Sequence, residues 1–260
     1  PREFRVHSVE KAKEGTRIIV VNDTQRPFQD QPVLTAVERF WDDFQPDYEV
    51  YNGDIADFYT ISSFDKNPSR RFTFADECNE TRGWLDDRAT ANPNAQRIFL
   101  EGNHEDRMRR WLWKHGPELN SLPGLTVESL LGLDEIGAVH LPYRSVFDFL
   151  GFRIEHGWKA SGGSSAYPVN VSRFMATKTG SSGLCGHTHR LSTYSWTDTR
   201  GSHSYIENGC LCLMNLEFAP FPNWQHAFSY GVVHQNELHL IPVRIYPKGF
   251  RAEGEFYSVK

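Results

Sequence analysis

The chain has 260 residues, 39% hydrophobic and 23% charged, proportions suited to one large globular domain with a substantial buried core. Its net charge of −5 excludes a whole-surface basic footprint for duplex nucleic acid, while leaving room for a local basic strip. No apolar run reaches membrane-span length and no signal peptide is visible. The four cysteines (Cys78, Cys185, Cys210, Cys212) lack disulfide-framework spacing, which points to a reducing, cytoplasmic compartment, and the lack of a span-length apolar run points to no membrane partner.

Residues 1–15 read as a polar N-terminal segment, and the start at Pro1 leaves room for an upstream domain in a longer parent chain. Residues 16–260 read as a single domain. Arg17 to Val21 is a β-branched run closed by polar Asn22 and Asp23, the pattern of a buried parallel strand. Val33, Val37, Phe40, Trp41 and Phe44 recur at helical spacing, with Asp30 as N-cap and Pro32 in the first turn. A strand over 48–51, a helix over 75–91, a strand over 97–100 and an Arg- and Trp-rich helix ending near His115 complete a β-α-β-α-β-α half. The second half alternates in polarity. Segments 146–150 and 152–156 form a hairpin around Gly151, a Gly/Ser loop runs from Ser161 to Ser165, and a helix covers 169–178. Strands follow at 191–197, 203–213, 229–234 and 237–245. Cys210 and Cys212, on one face of such a strand, read as small buried hydrophobes. The fold class is α/β, with two stacked mixed β-sheets flanked by α-helices.

Polar blocks follow the strands: Asp23-Thr24-Gln25, Gly53-Asp54-Ile55-Ala56-Asp57, Gly102-Asn103-His104-Glu105, His156-Gly157 and Gly186-His187-Thr188-His189. Alone, each reads as an Asx-turn or a helix cap. In order, and all at strand ends, they offer oxygen and imidazole donors for two divalent metals sharing a carboxylate, Asp54. Mixed O/N sets suit Mn, Zn, Fe or Co better than Ca.

This set resembles the calcineurin-like metallophosphoesterase superfamily, whose motifs run D-x-H, GD-x-x-D, GNH-E/D, H and GH-x-H. It is similar in particular to phage and prophage enzymes, which carry stretches like Glu207-Asn208-Gly209-Cys210-Leu211-Cys212 and Asn223-Trp224-Gln225. The resemblance covers residues 17–190. It implies one metal on Asp23, Gln25, Asp54 and His189, and a second on Asp54, Asn103, His156 and His187. His104 would meet the leaving group. Gln25 departs from the family's usual histidine. A neutral, harder ligand there shifts preference from Zn toward Mn or Mg. Two divalent ions are therefore expected, Mn first, with Mg, Fe, Zn and Co as further options.

The resemblance implies a hydrolase in which metal-activated hydroxide attacks phosphorus and His104 protonates the departing oxygen. Asp57 or Glu105 would orient His104, with helix N-terminal capping the equal alternative for either. Phosphoprotein phosphatases of the superfamily carry two phosphate-gripping arginines where this chain has Phe58 and Glu101. The purple-acid-phosphatase tyrosine position is Asp57. A phosphodiesterase acting on nucleotides or nucleic-acid ends is the preferred reading. The alternatives are a broad phosphomonoesterase and a metal-poor binding scaffold. Substrate contacts are sought at Arg107, Arg144 and Arg190, with Arg26 beside them. Phe58 and Tyr59 either stack on a base or pack beneath the loop. For the helix after Asn103, the balance favours Trp111 in the core and the arginines as a solvated face.

Overall fold

The computed structural model describes residues 4–158, 170–216 and 222–260. The Ser161–Ser165 loop falls outside them. In chain order the strands and helices are β1 (Val6–Val9), β2 (Arg17–Val21), α1 (Gln31–Phe44), β3 (Tyr48–Asn52), α2 (Phe74–Ala91), β4 (Gln96–Leu100), α3 (Asp106–His115) and α4 (Val127–Leu130). Then come β5 (Val139–Leu141), β6 (Val146–Phe149), β7 (Phe152–Glu155), α5 (Val171–Thr179), β8 (Gly183–Cys185), β9 (Leu191–Asp198) and β10 (Gly201–Asn208). The last four are β11 (Ala227–His234), β12 (Glu237–Arg244), β13 (Gly249–Ala252) and β14 (Glu255–Ser258).

One six-stranded sheet runs β12-β11-β2-β3-β4-β5, the other β1-β6-β7-β8-β10-β9, and β13-β14 form a separate hairpin. Both six-stranded sheets are mixed: β2 to β5 run parallel, while β11 pairs antiparallel with β2. In β2, Ile18 and Val20 point between the sheets, meeting Phe147, Phe149, Ile154 and Leu184. Ile19 and Val21 point the other way, into the layer that holds α1. That is why the segment is apolar at successive positions and not alternating. On the far face of the second sheet, Val171 and Met175 of α5 cover Cys185 and Tyr205. The layers are helix, sheet, sheet, helix.

Helix α1 shows how local sequence sets the outer layer. Asp30 caps it by accepting from the Val33 N–H at 3.3 Å, and Gln45 ends it in the left-handed conformation. Its buried stripe includes Phe40, whose ring packs on Phe44, Phe228, Tyr230 and Tyr257 at centroid distances of 4.9 to 5.4 Å. Truncating Phe40 to alanine would cost about 3–5 kcal/mol.

Two sequence expectations are corrected. Strand 203–213 stops at Asn208, because Gly209 adopts φ +66° and turns the chain; Cys210 and Cys212 lie beyond it in isolated bridges. Within the N-terminal polar stretch, Val6–Val9 pair in parallel with Val146–Phe149 as an edge strand. Among the described residues, no helix is long and apolar enough to cross a membrane.

Candidate metal centre

Five strands end at one rim. β2 delivers Asn22 and Asp23, β3 delivers Gly53 and Asp54, and β4 delivers Gly102 to His104, all from one sheet. β7 delivers His156 and β8 delivers His187 and His189, from the other. Strand C-terminal ends are where α/β sheets collect ligand-binding groups. Hydrogen bonds between the blocks knit the two sheets together here. The Asn52 amide donates to the Glu155 carbonyl at 3.1 Å, and the His187 N–H donates to Asp23 Oδ2 at 2.9 Å. The Asp23 and Gln25 N–H groups donate to the carbonyls of Gly53 and Asp54 at 3.0 and 2.9 Å.

The backbone at the rim is unusual. Asp23, Gln25, Asp54, His187 and His189 all have positive φ, between 49° and 73°. Such conformations cost about 1–3 kcal/mol each and persist where surrounding structure imposes them. The glycines make room for the carboxylates. A Cβ on Gly102 would lie 2.1 Å from Asp54 Oδ1, and one on Gly186 would lie 2.6 Å from Asp23 Oδ2.

The donors form two adjoining groups. In the first, His189 Nε2 is 3.2 Å from Asp23 Oδ1 and 3.2 Å from the Gln25 amide. In the second, His156 Nε2 is 3.2 Å from both Asp54 Oδ2 and Asn103 Oδ1. One donor atom each from Asp54, His156 and His187 lie within 4.8 Å of one another. A carbonyl only accepts, so the 3.0 Å contact with Asn52 O assigns the proton of His156 to Nδ1 and turns Nε2 toward Asp54. The residues fit a divalent cation. Asp23, Gln25 and Asp54 are at most 1% exposed, and Gln25 Oε1 is buried without a hydrogen-bond donor.

Electrostatics agree with that fit. Burial works against charge on Asp54, but the imidazoles of His104 and His156 overcome it and hold this carboxyl well below the usual range. Burial likewise opposes protonation of His156 and His189. Asp54 raises the first to about 10, and Asp23 raises the second to about 9. His187 moves the other way, to about 4, through burial and the neighbouring His156. In the metal-free protein, protons on two imidazoles balance the buried carboxylates.

His104 stands beside the second group. Its backbone N–H donates to Asp54 Oδ1 at 2.8 Å, and its Nε2 lies 3.7 Å from Asp54 Oδ2. Its Nδ1–H faces Asp57 Oδ2 at 3.1 Å. Arg107 clasps Asp57 through Oδ1 at 2.8 Å and the carbonyl at 2.7 Å, and brings Nη2 to 3.2 Å from His104 Nε2. Of the two carboxylates expected to orient His104, Asp57 is the one in contact. Glu105 instead accepts from the N–H groups of Gly102, Asp54, Ile55 and Ala56 at 2.8 to 3.0 Å. Burial and the Asp54 charge push its carboxyl up to about 7.

The other candidate arginines engage partners outside the donor groups. Arg190 pairs with Glu207 at 3.1 Å, Arg26 pairs with Glu80 at 3.2 Å, and Arg144 lies over the rings of Tyr143 and Trp158. Phe58 is fully buried against Phe74, so it packs beneath the loop; Tyr59 is half-buried against Phe28. Trp111 corrects the expectation of a core residue. It is 37% exposed, because Met108 and Leu112 supply the buried face of α3. His140, His203 and His226 bind Glu101, Asp198 and the Cys212 carbonyl.

Sequence reasoning missed the groups behind the donors. Asn22 donates to Asp23 Oδ2 at 2.6 Å, Cys212 Sγ lies 3.7 Å from His189 Nδ1, and Trp224 meets the His189 ring at 4.3 Å. His189, Cys210 and Cys212 form a second buried set of donors. The position of Asn22 between a strand and an aspartate was an available signal; the phage-type stretches marked Cys212 and Trp224 but not their contacts with His189. A separate cavity of about 760 Å³, bordered by Trp196, Arg200 and His203, contains none of these donors.

No protein-family model matches the chain. The Gene 54 protein of Mycobacterium phage D29 is 30% identical over 264 residues, spanning 94% of this chain and 99% of that protein. The chain belongs to the phage Gene 54 protein family. The Gene 54 protein of Mycobacterium phage L5 is 28% identical over 265 residues, again with 94% and 99% coverage. Among solved structures, Vacuolar Protein Sorting 29 from Cryptosporidium parvum matches with a TM-score of 0.50, at 11% identity, over 95% of this chain and 100% of that one. At that identity the likeness is of fold alone. This Gene 54 family member has the calcineurin-like metallophosphoesterase fold, with two mixed sheets between helical layers.

Proposed function

We propose that this protein is a binuclear metal-dependent phosphoesterase that hydrolyses phosphodiester bonds of nucleotides or nucleic acids. The observation that carries the reading is the meeting, at one rim, of two donor groups and a histidine. His156 and Asp54 lie 3.2 Å apart, His189 and Asp23 lie 3.2 Å apart, and His104 Nε2 is 3.7 Å from Asp54. In this reading Asp23, Gln25, Asp54 and His189 hold one divalent ion, Mn by preference. Asp54, Asn103, His156 and His187 hold the other.

Bound there, such ions neutralise phosphoryl charge and make water a stronger acid near neutral pH. The protein's own groups do the rest. His104, as imidazolium, passes its Nε2 proton to the departing oxygen, while Asp57, 3.1 Å from Nδ1, accepts the other ring N–H and fixes the ring's orientation. Arg107, 3.2 Å from Nε2, binds the phosphoryl oxygens or the leaving oxygen as they approach. Charge favours the diester. A diester carries one negative charge and a monoester nearly two. The Arg107 guanidinium is already shared with Asp57, and Phe58 and Glu101 stand where two phosphate-gripping arginines would be.

The test is hydrolysis of bis(p-nitrophenyl) phosphate beside the monoester, on metal-stripped protein titrated with Mn. The reading expects Mn-dependent diester turnover, faster than monoester turnover and lost in His104→Ala. Turnover of the monoester alone would make the protein a phosphatase. Absence of turnover and of bound metal would make it a scaffold.

A further inference from the structure

Arg107 reaches outward as well as inward. Its guanidinium, 3.2 Å from His104 Nε2, also lies 6.0 Å from the centre of the Phe64 ring. Phe64 sits on the loop that joins Asp57 to α2, and it is 73% exposed. One helical turn beyond Arg107, on the same face of α3, the exposed Trp111 lies against His115 with ring centroids 4.9 Å apart. Exposed flat rings therefore border the proposed phosphodiester site on two elements.

Along the chain, cations interleave with those rings. The loop carries Lys66, Arg70 and Arg71, and α3 carries Arg107, Arg109, Arg110 and Lys114, against Asp65 and Asp106 on the same segments. Asp106 engages Arg110 at 2.7 Å, yet the balance stays positive in a chain whose net charge is −5. Burial of Met108 and Leu112 forces the arrangement, since the remaining faces of α3 must look outward. Cation and ring in alternation suit a polyanion with flat faces along its length. A duplex hides those faces in its own stack, and an acidic peptide has none.

We propose that Phe64, Arg107 and Trp111 form a platform on which a single-stranded polynucleotide lies, its bases on the rings and its phosphates on the cations. The delivery of one phosphodiester to His104 rests on the phosphodiesterase reading; the binding itself does not.

The experiment is an anisotropy titration of the full, Mn-loaded protein with a fluorescein-labelled phosphorothioate oligothymidylate at several salt concentrations. A duplex of equal length and a poly-glutamate peptide serve as competitors. Phe64→Ala/Trp111→Ala is compared with Phe256→Ala, which removes an exposed ring on β14. The platform requires at least about a tenfold loss of oligonucleotide affinity in the double variant. It also requires wild-type affinity in Phe256→Ala, weaker competition by duplex and peptide, and binding that falls linearly in logarithm with salt. Wild-type affinity in the double variant, or equal competition by duplex or peptide, overturns it. Bis(p-nitrophenyl) phosphate turnover on the same samples keeps the two claims apart. Turnover with oligonucleotide binding indifferent to the double variant overturns the platform alone. Binding lost in the double variant without any wild-type turnover supports the platform and removes the phosphodiesterase reading.

Discussion

Glu105 Oε2 accepts the backbone N–H of Asp54 at 3.0 Å, so a fully buried carboxylate holds in place the loop that presents the proposed bridging ligand. The same carboxylate takes Ile55, Ala56 and Gly102, joining the loops after β3 and β4. Asp54 is thus aimed by a residue that is not itself in either donor group.

Glu105→Ala leaves those buried donors without an acceptor, at about 1–3 kcal/mol each. The expected outcome is a loss of at least about 3 kcal/mol in urea unfolding, with weaker Mn binding by whatever protein remains folded. Wild-type stability would mean that water replaces the carboxylate without cost.

Mn affinity should rise with pH. His156 and His189 hold protons up to about 10 and about 9, so each gives one up when a cation takes its place. Calorimetric titrations in buffers of different ionisation enthalpy should show proton release near pH 7; a pH-independent affinity without release would contradict it. The sign for stability is opposite. A raised imidazole pKa stabilises the metal-free fold fully below the unfolded value of 6.5, and that contribution is lost as pH rises through about 9 and about 10.

Asp54→Asn keeps an acceptor for the His104 N–H, which is 2.8 Å away, but removes the charge that faces His156. Activity on a small diester should fall on the order of a thousandfold, with circular dichroism unchanged. His187→Ala, which removes one donor of the second group, should do the same. Full activity in either variant would sink the assignment.

Gln25→His exchanges a neutral amide for an imidazole at a buried position with φ 49°, a conformation that histidine tolerates. Zn retention after dialysis, measured by elemental analysis, should rise at the first site. Unchanged Zn content would mean that residue 25 does not face the ion.

What was legible in the sequence followed from periodicity. Ile18 to Val21, the α1 stripe and the polar residues after β2, β3 and β4 were readable because burial on both faces of a strand, or along one stripe of a helix, leaves a pattern. Short elements left none. β5 and β8 have three residues each, too few for a period, and β1 is an edge strand whose burial only alternates between exposed and intermediate. The role of Glu105 was hidden because its partners at 54 to 56 are distant in sequence. Trp111 was misread because helical spacing alone does not say whether Met108 and Leu112 or the tryptophans face the core.

The most direct test of two shared cations is an anomalous difference map collected at the Mn absorption edge from crystals of Mn-loaded protein. The account predicts two peaks a few ångströms apart with Asp54 between them, one beside Asp23 and His189 and the other beside Asn103, His156 and His187. No peak at this rim, or a single peak among His189, Cys210 and Cys212, would contradict it.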